Sequence, residues 1–174
     1  MKHGLLAAIL LMIFQSSILG QDKALAKPKD VNGRTKASWG MTREEIKKAF
    51  PETHADEDVL VSAPFKIGDD QFNAEFRFSA QSNSLEAVVI APVRKDLSLD
   101  DLFQTLELML TEKYGPPTTR AEPSLQDKES ISTYWAFPST IISLNRIRRG
   151  APLPVDILTI SYVKNRAGKE PDNL

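Results

Sequence analysis

One histidine set in a run of acids is where chemistry would first be sought. His54 stands among Glu52, Asp56, Glu57 and Asp58, which are the residue types of a weak divalent-cation site or of a carboxylate-dependent hydrolase. The spacing is not that of a calcium loop, because its glycine and its distal bidentate glutamate are absent. A solvated acidic loop is the plainer reading. Two carboxylate pairs, Asp69-Asp70 and Asp100-Asp101, have the composition of an acid and a base. The first follows Gly68 in a turn and the second opens a helix, both places that favour aspartate on structural grounds. No Gly-x-Ser-x-Gly elbow is present, and a Ser/His/Asp relay would have to recruit His54 from its acidic loop. None of the 8 glycines lies in a phosphate-cradling strand-to-helix turn. With no cysteine, disulfides, thiolate zinc sites and thiol catalysis are excluded. No catalytic set, metal set or cofactor pattern emerges.

Two groups have the chemistry of binding. Tyr134 and Trp135 are the residue types that dominate interaction hot spots. As neighbours on a strand they point to opposite faces, so one of them faces away from any helix-covered side. Arg146, Arg148 and Arg149 form a local basic cluster beside Gly150 with the makings of a small anion patch, or simply of a solvated loop.

These side chains need a frame, and the apolar periodicity supplies one. Thr42 followed by Glu45 is a capping box, with Met41 and Ile46 as its staple, and predicts a helix from about Arg43 to Phe50 before Pro51. Val59, Val61, Ala63 and Phe65 alternate, as do Phe72, Ala74, Phe76 and Phe78, and Leu85 to Ala91 is apolar at nearly every position. They read as three strands of an antiparallel meander. Ser98 to Asp101 repeats the capping pattern with Leu97 and Leu102 as staple, and a longer helix runs to Tyr114 before Gly115-Pro116-Pro117. Its apolar stripe of Leu102, Phe103, Leu106 and Leu110 is expected to cover the phenylalanines. A polar loop over 118 to 129 leads to three more strands near 130 to 137, 140 to 147 and 155 to 163. The expected fold class is α+β: two helix-plus-three-strand units, six antiparallel strands in all, packed on helices.

Ahead of this frame, Lys2 and the apolar run Leu5 to Phe14 read as a secretory leader, cut after Ala26 or after Gly20, with the small residues Ala24 and Ala26 favouring the first. The run is too short for a membrane span. Residues 1 to 26 are then the signal peptide, 27 to 37 a flexible tether, 38 to 163 a single domain and 164 to 174 a disordered tail. The whole chain has a formal net charge of -1. No strong positive field remains to attract nucleic acid.

Trp39-Gly40-Met41 at the start of one helix and Tyr114-Gly115-Pro116 at the end of the other resemble uncharacterised bacterial exported domains. Their layout is similar to that of the β-lactamase inhibitor protein family and of the small lipoprotein of the outer-membrane β-barrel assembly machine. That lipoprotein family is anchored through a cysteine, which this chain lacks. The combined expectation is an exported, periplasmic or secreted, non-enzymatic binding or interaction module. Its partner would be a protein or small ligand of the envelope, met through an open sheet face or near Trp135 and Arg146 to Pro154. The alternatives are a carboxylate-dependent hydrolase and an envelope-assembly scaffold.

Overall fold

A computed structural model describes residues 30 to 93, 98 to 121, 130 to 150 and 154 to 167 of the chain. The expected leader, the tail beyond Ala167 and Leu97 of the second staple lie outside the described residues.

The strand with the clearest alternation, β4 (Asp70–Phe78), buries Phe72, Ala74 and Phe76 and leaves Arg77 exposed. It turns through Ser79 to Ser84 into β5 (Leu85–Pro92), with Asn83 at a φ of +49°, a left-handed conformation that asparagine tolerates. The later strands β7 (Ser130–Ala136), β8 (Thr140–Arg149) and β9 (Val155–Lys164) form a second meander, each antiparallel to the next. Val88 and Ile90 of β5 lie opposite Tyr162 and Ile160 of β9, which joins both meanders edge to edge. Three-residue strands finish the margins: β1 (His54–Asp56), β2 (Val59–Val61), β3 (Phe65–Ile67) and β6 (Thr119–Ala121). The result is one nine-stranded antiparallel sheet in the order β1-β2-β4-β5-β9-β8-β7-β6, with β3 also on β4.

The fold is therefore mainly β, and the expected α+β arrangement of two helix-plus-three-strand units is corrected. Nine strands stand where six were expected, against helices of only 7 and 16 residues. The physical reason is pairing over long sequence distance. The β5 to β9 ladder merges the meanders into one layer, and the short edge strands are too brief to show a period.

The alternation from Val59 to Phe65 also breaks. Val59 and Val61 pair with Arg77 and Glu75, whereas Phe65 pairs with Phe72, so the register shifts by one residue in between. Such a shift moves side chains to the opposite face. Pro64 interrupts the ladder, and the Ser62 hydroxyl takes over as acceptor for the Ala74 N–H at 2.9 Å. Val61 consequently faces one side of the sheet and Phe65 the other.

Both helices lie on the side of Phe72 and Phe76. In α1 (Arg43–Ala49) the Thr42 hydroxyl accepts from the Glu45 N–H at 3.3 Å, and the Glu45 carboxylate accepts from the Thr42 N–H at 2.8 Å. The last turn sets the Phe50 ring 5.0 Å from that of Phe76. The longer helix α2 (Leu99–Tyr114) sits over β8 and β9 and buries Leu102, Phe103, Leu106 and Leu110. The short helix, rather than the long one, thus supplies the ring against Phe76. The Ser98 hydroxyl makes no capping bond, in contrast to the expected repeat of the first cap. Among the described residues no helix is long and apolar enough to cross a membrane.

Residues 30 to 37, part of the expected tether, are docked on this scaffold. Asp30 accepts from the Ser139 N–H at 2.8 Å, Thr140 donates to the Val31 carbonyl, and Ala37 is fully buried. Trp39 Nε1 donates to Thr140 Oγ1 at 2.7 Å, so one buried threonine ties the segment to the start of β8. Arg34 and Ala37 exchange backbone hydrogen bonds of 2.8 and 2.9 Å around Thr35-Lys36. Gly33, at a φ of +94°, is required there: a Cβ would come 2.0 Å from the Ala37 carbonyl oxygen.

Candidate functional site

The alternation of β7 separates Tyr134 from Trp135. Trp135 points into the core, 1% exposed, and its Nε1 donates to the Gly115 carbonyl at 2.9 Å where α2 ends. Tyr134 lies opposite Ser143 on the other face, half-buried.

The arginines divide similarly. Arg146 is 3% exposed beneath the first turn of α2. It grips Asp156 with two hydrogen bonds, 2.7 and 2.9 Å, and reaches Asp100 at 2.8 Å. Arg148 binds the second Asp100 oxygen at 3.0 Å. Two cations and two carboxylates are thereby satisfied among themselves, and Asp100 is spent on positioning α2 on the sheet. Arg149 is exposed at the strand end opposite Val155. The three arginines therefore do not converge as one anion patch.

In the acidic segment, His54, Ala55 and Asp56 are all exposed on edge strand β1. Among the described residues no group of three or more His, Asp or Glu side chains is gathered closely enough to hold a metal ion. Asp69 follows Gly68, whose φ is +61°, in the β3 to β4 turn.

The arrangement that does emerge is the sheet face turned away from both helices. Because β8 and β9 run in register, their outward residues form a ladder of cross-strand pairs: Ile141 with Val163, Ser143 with Ser161, Asn145 with Thr159, and Ile147 with Ile157. Aliphatic pairs occupy the two ends and small polar pairs the middle. Neighbouring strands continue the rows, with Tyr134 beside Ser143 and Val89 beside Ser161. Ile141, Ile157 and Val163 are 37%, 45% and 42% exposed, large apolar side chains that no described element covers. At the Ile141 and Val163 end a groove of about 500 Å³ opens, bounded by Arg77, Glu86 and Arg166. Arg77 pairs with Glu75 at 2.7 Å and Arg166 with Glu86 at 2.6 Å, while Lys164 also lines the groove. Further along this face, Asn73 Oδ1 is buried without a hydrogen-bond partner among the described residues.

Of these residues only Tyr134 stands out by type in the sequence. Ile141, Ser143, Thr159, Ser161 and Val163 are ordinary strand residues, and the one available signal was that β8 and β9 are apolar on alternate positions yet keep aliphatic residues at the outward ends. No protein-family model, curated protein or solved structure matches this chain significantly.

Proposed function

We propose that this protein is an exported, non-enzymatic binding module whose uncovered sheet face receives a protein partner. The observation that carries the reading is the outward ladder of β8 and β9, with exposed Ile141, Val163 and Ile157 at its ends and the part-buried Ser161, Asn145 and Thr159 between them. Such a surface combines what a protein interface uses: apolar area to remove from water, hydrogen-bonding groups in the middle, and few unpaired charges to desolvate. It is a broad strand surface rather than an enclosed cavity, which suits a macromolecule better than a small molecule. Export is supported by Lys2, the apolar run Leu5 to Phe14 and the small residues at Ala24 and Ala26.

The test is site-specific photocrosslinking in the native host, with the full chain carrying the photoreactive residue at Ser161 or, as control, at exposed Gln104 on α2. A discrete protein adduct is expected from position 161 and not from 104, and it should disappear in the Ile157→Glu background. Equal adducts at both positions, or none at 161, would overturn the reading.

A further inference from the structure

The helix-covered side holds a second feature that owes nothing to the open face. Between α2 and the sheet lies a pocket of about 180 Å³, with Ile90, Leu106, Leu110 and Ile160 among its walls. A cavity of ~150 Å³ lined by aliphatic and aromatic side chains accommodates a benzene ring. This one is therefore the size of a six-carbon body. Arg34, Tyr162 and exposed Lys113 are its other lining groups of note.

Arg34 lines this pocket and, like Arg43 and Arg149, faces no carboxylate among the described residues; Arg43 instead bonds the Asn83 amide oxygen and the Asp58 carbonyl, and Arg149 is exposed at a strand end. Arg77, Arg120, Arg146, Arg148 and Arg166 each face a carboxylate. The Arg34 guanidinium lies 4.7 Å over the Phe65 ring with the Tyr162 hydroxyl beside it. The Tyr162 and Tyr114 hydroxyls are 3.3 Å apart. Burial lowers the Arg34 pKa, and burial also pushes the Tyr162 phenol far above its usual range, so the site presents a cation with a neutral hydroxyl beside it. A half-buried cation without a counter-charge is an incomplete arrangement, because desolvation of a charge is normally offset by a partner.

The backbone holds this arginine in place at some cost. The Arg34 to Ala37 turn that presents it has Thr35 at a φ of +53°, a conformation that β-branched residues rarely adopt, and Thr35 itself borders the pocket. Strained backbone of this kind is concentrated where ligands are clamped.

We propose that this pocket binds a small amphipathic carboxylate, an aliphatic or aromatic acid of about six or seven carbons. The carboxylate accepts from the Arg34 guanidinium and the Tyr162 hydroxyl, while the hydrocarbon body lies against Leu106, Leu110 and Ile90. Lys113 adds a second positive charge at the entrance. Arg34 thereby gains the counter-charge that the described residues do not provide.

Titration calorimetry of the protein with hexanoate and benzoate, against hexanol and benzamide, tests this directly. The acids are expected to bind, and the neutral analogues about ten-fold more weakly or worse, since a charged hydrogen bond is lost. Arg34→Gln should erase that preference. Because Arg34 also packs on Phe65, Met109→Trp serves as a second variant: it changes a 40% exposed residue at the pocket wall and should block both acids while leaving the unfolding midpoint unchanged. No binding of either acid, equal affinity for acids and neutral analogues, or undiminished binding in Met109→Trp would overturn the proposal.

Discussion

The two faces of the sheet are written by the same strands and yet do different work. On β4, Phe72 and Phe76 point under the helices at 1% exposure, while Glu75 and Arg77 on the alternate positions pair with each other in solvent. On β8, Ile142 and Leu144 are fully buried, whereas Ile141 on the other face is 37% exposed. A period of two therefore separates stability from surface along the long central strands, one residue at a time. The lesson is that the uncovered face can change its chemistry without threatening the core, and the covered face cannot.

The largest expected break in that contrast is Phe76→Ala. Its ring packs 5.0 Å from Phe50, and its removal should cost roughly 3 to 5 kcal/mol through lost transfer energy and a residual cavity. Arg77→Ala, one residue on and turned to solvent, should cost about 0.5 kcal/mol or less. Urea unfolding of both variants measures the difference. Comparable losses would mean that the two faces are not energetically distinct.

A smaller effect is expected where charge lies beneath the covered face. Arg146→Ala removes three hydrogen bonds and the packing of a 3% exposed side chain, but Asp100 and Asp156 are 61% and 43% exposed and remain hydrated. The cost should be about 2 kcal/mol, below that of breaking a fully buried pair. Arg148→Ala, whose bonds are at the margin, should cost under about 1 kcal/mol. Urea midpoints again decide, and a larger loss from Arg148 would reverse the assignment of which arginine secures α2.

Much of this contrast was legible in the residues, because alternation reports burial directly. β4, the capping box of α1 and the extent of α2 follow from patterns complete within ten to sixteen residues. Three kinds of feature were not legible. The edge strands β1, β3 and β6 have three residues each and show no period. The one-residue shift around Pro64 reassigns Phe65 to the covered face, although its spacing from Val59 and Val61 is even. The polar segment from Asp30 to Ala37 docks through a handful of contacts to Ser139 and Thr140, more than a hundred positions away, which no local pattern encodes. The site shows the same divide. Tyr134 is conspicuous by type, whereas the ladder of Ile141, Ser143, Ser161 and Ile157 exists only through the register of two strands, and Arg34 stands out only once it is seen to line a pocket without a carboxylate beside it.

An effect on stability as small as that of Arg77→Ala should come from Ile157→Thr, and that smallness is what makes it informative. Threonine keeps the branched Cβ that strands favour, so the substitution removes apolarity and leaves backbone preference nearly intact. Ile157 is already 45% exposed, and its main described neighbour across the ladder is Ile147. Losing one partly solvated cross-strand pair should cost about 0.5 kcal/mol, several-fold less than truncating Phe76. If the uncovered face is an interaction surface, the same substitution should nevertheless weaken the Ser161 photocrosslink to a small fraction of the wild-type yield, because an apolar anchor counts fully only when the partner removes it from water. Unfolding and crosslinking then part company at a single residue. A loss of about 2 kcal/mol or more in dilute solution would instead mean that Ile157 is already shielded there, by another copy of the chain or by a stretch outside the described residues, and the distinction between the two faces would fail.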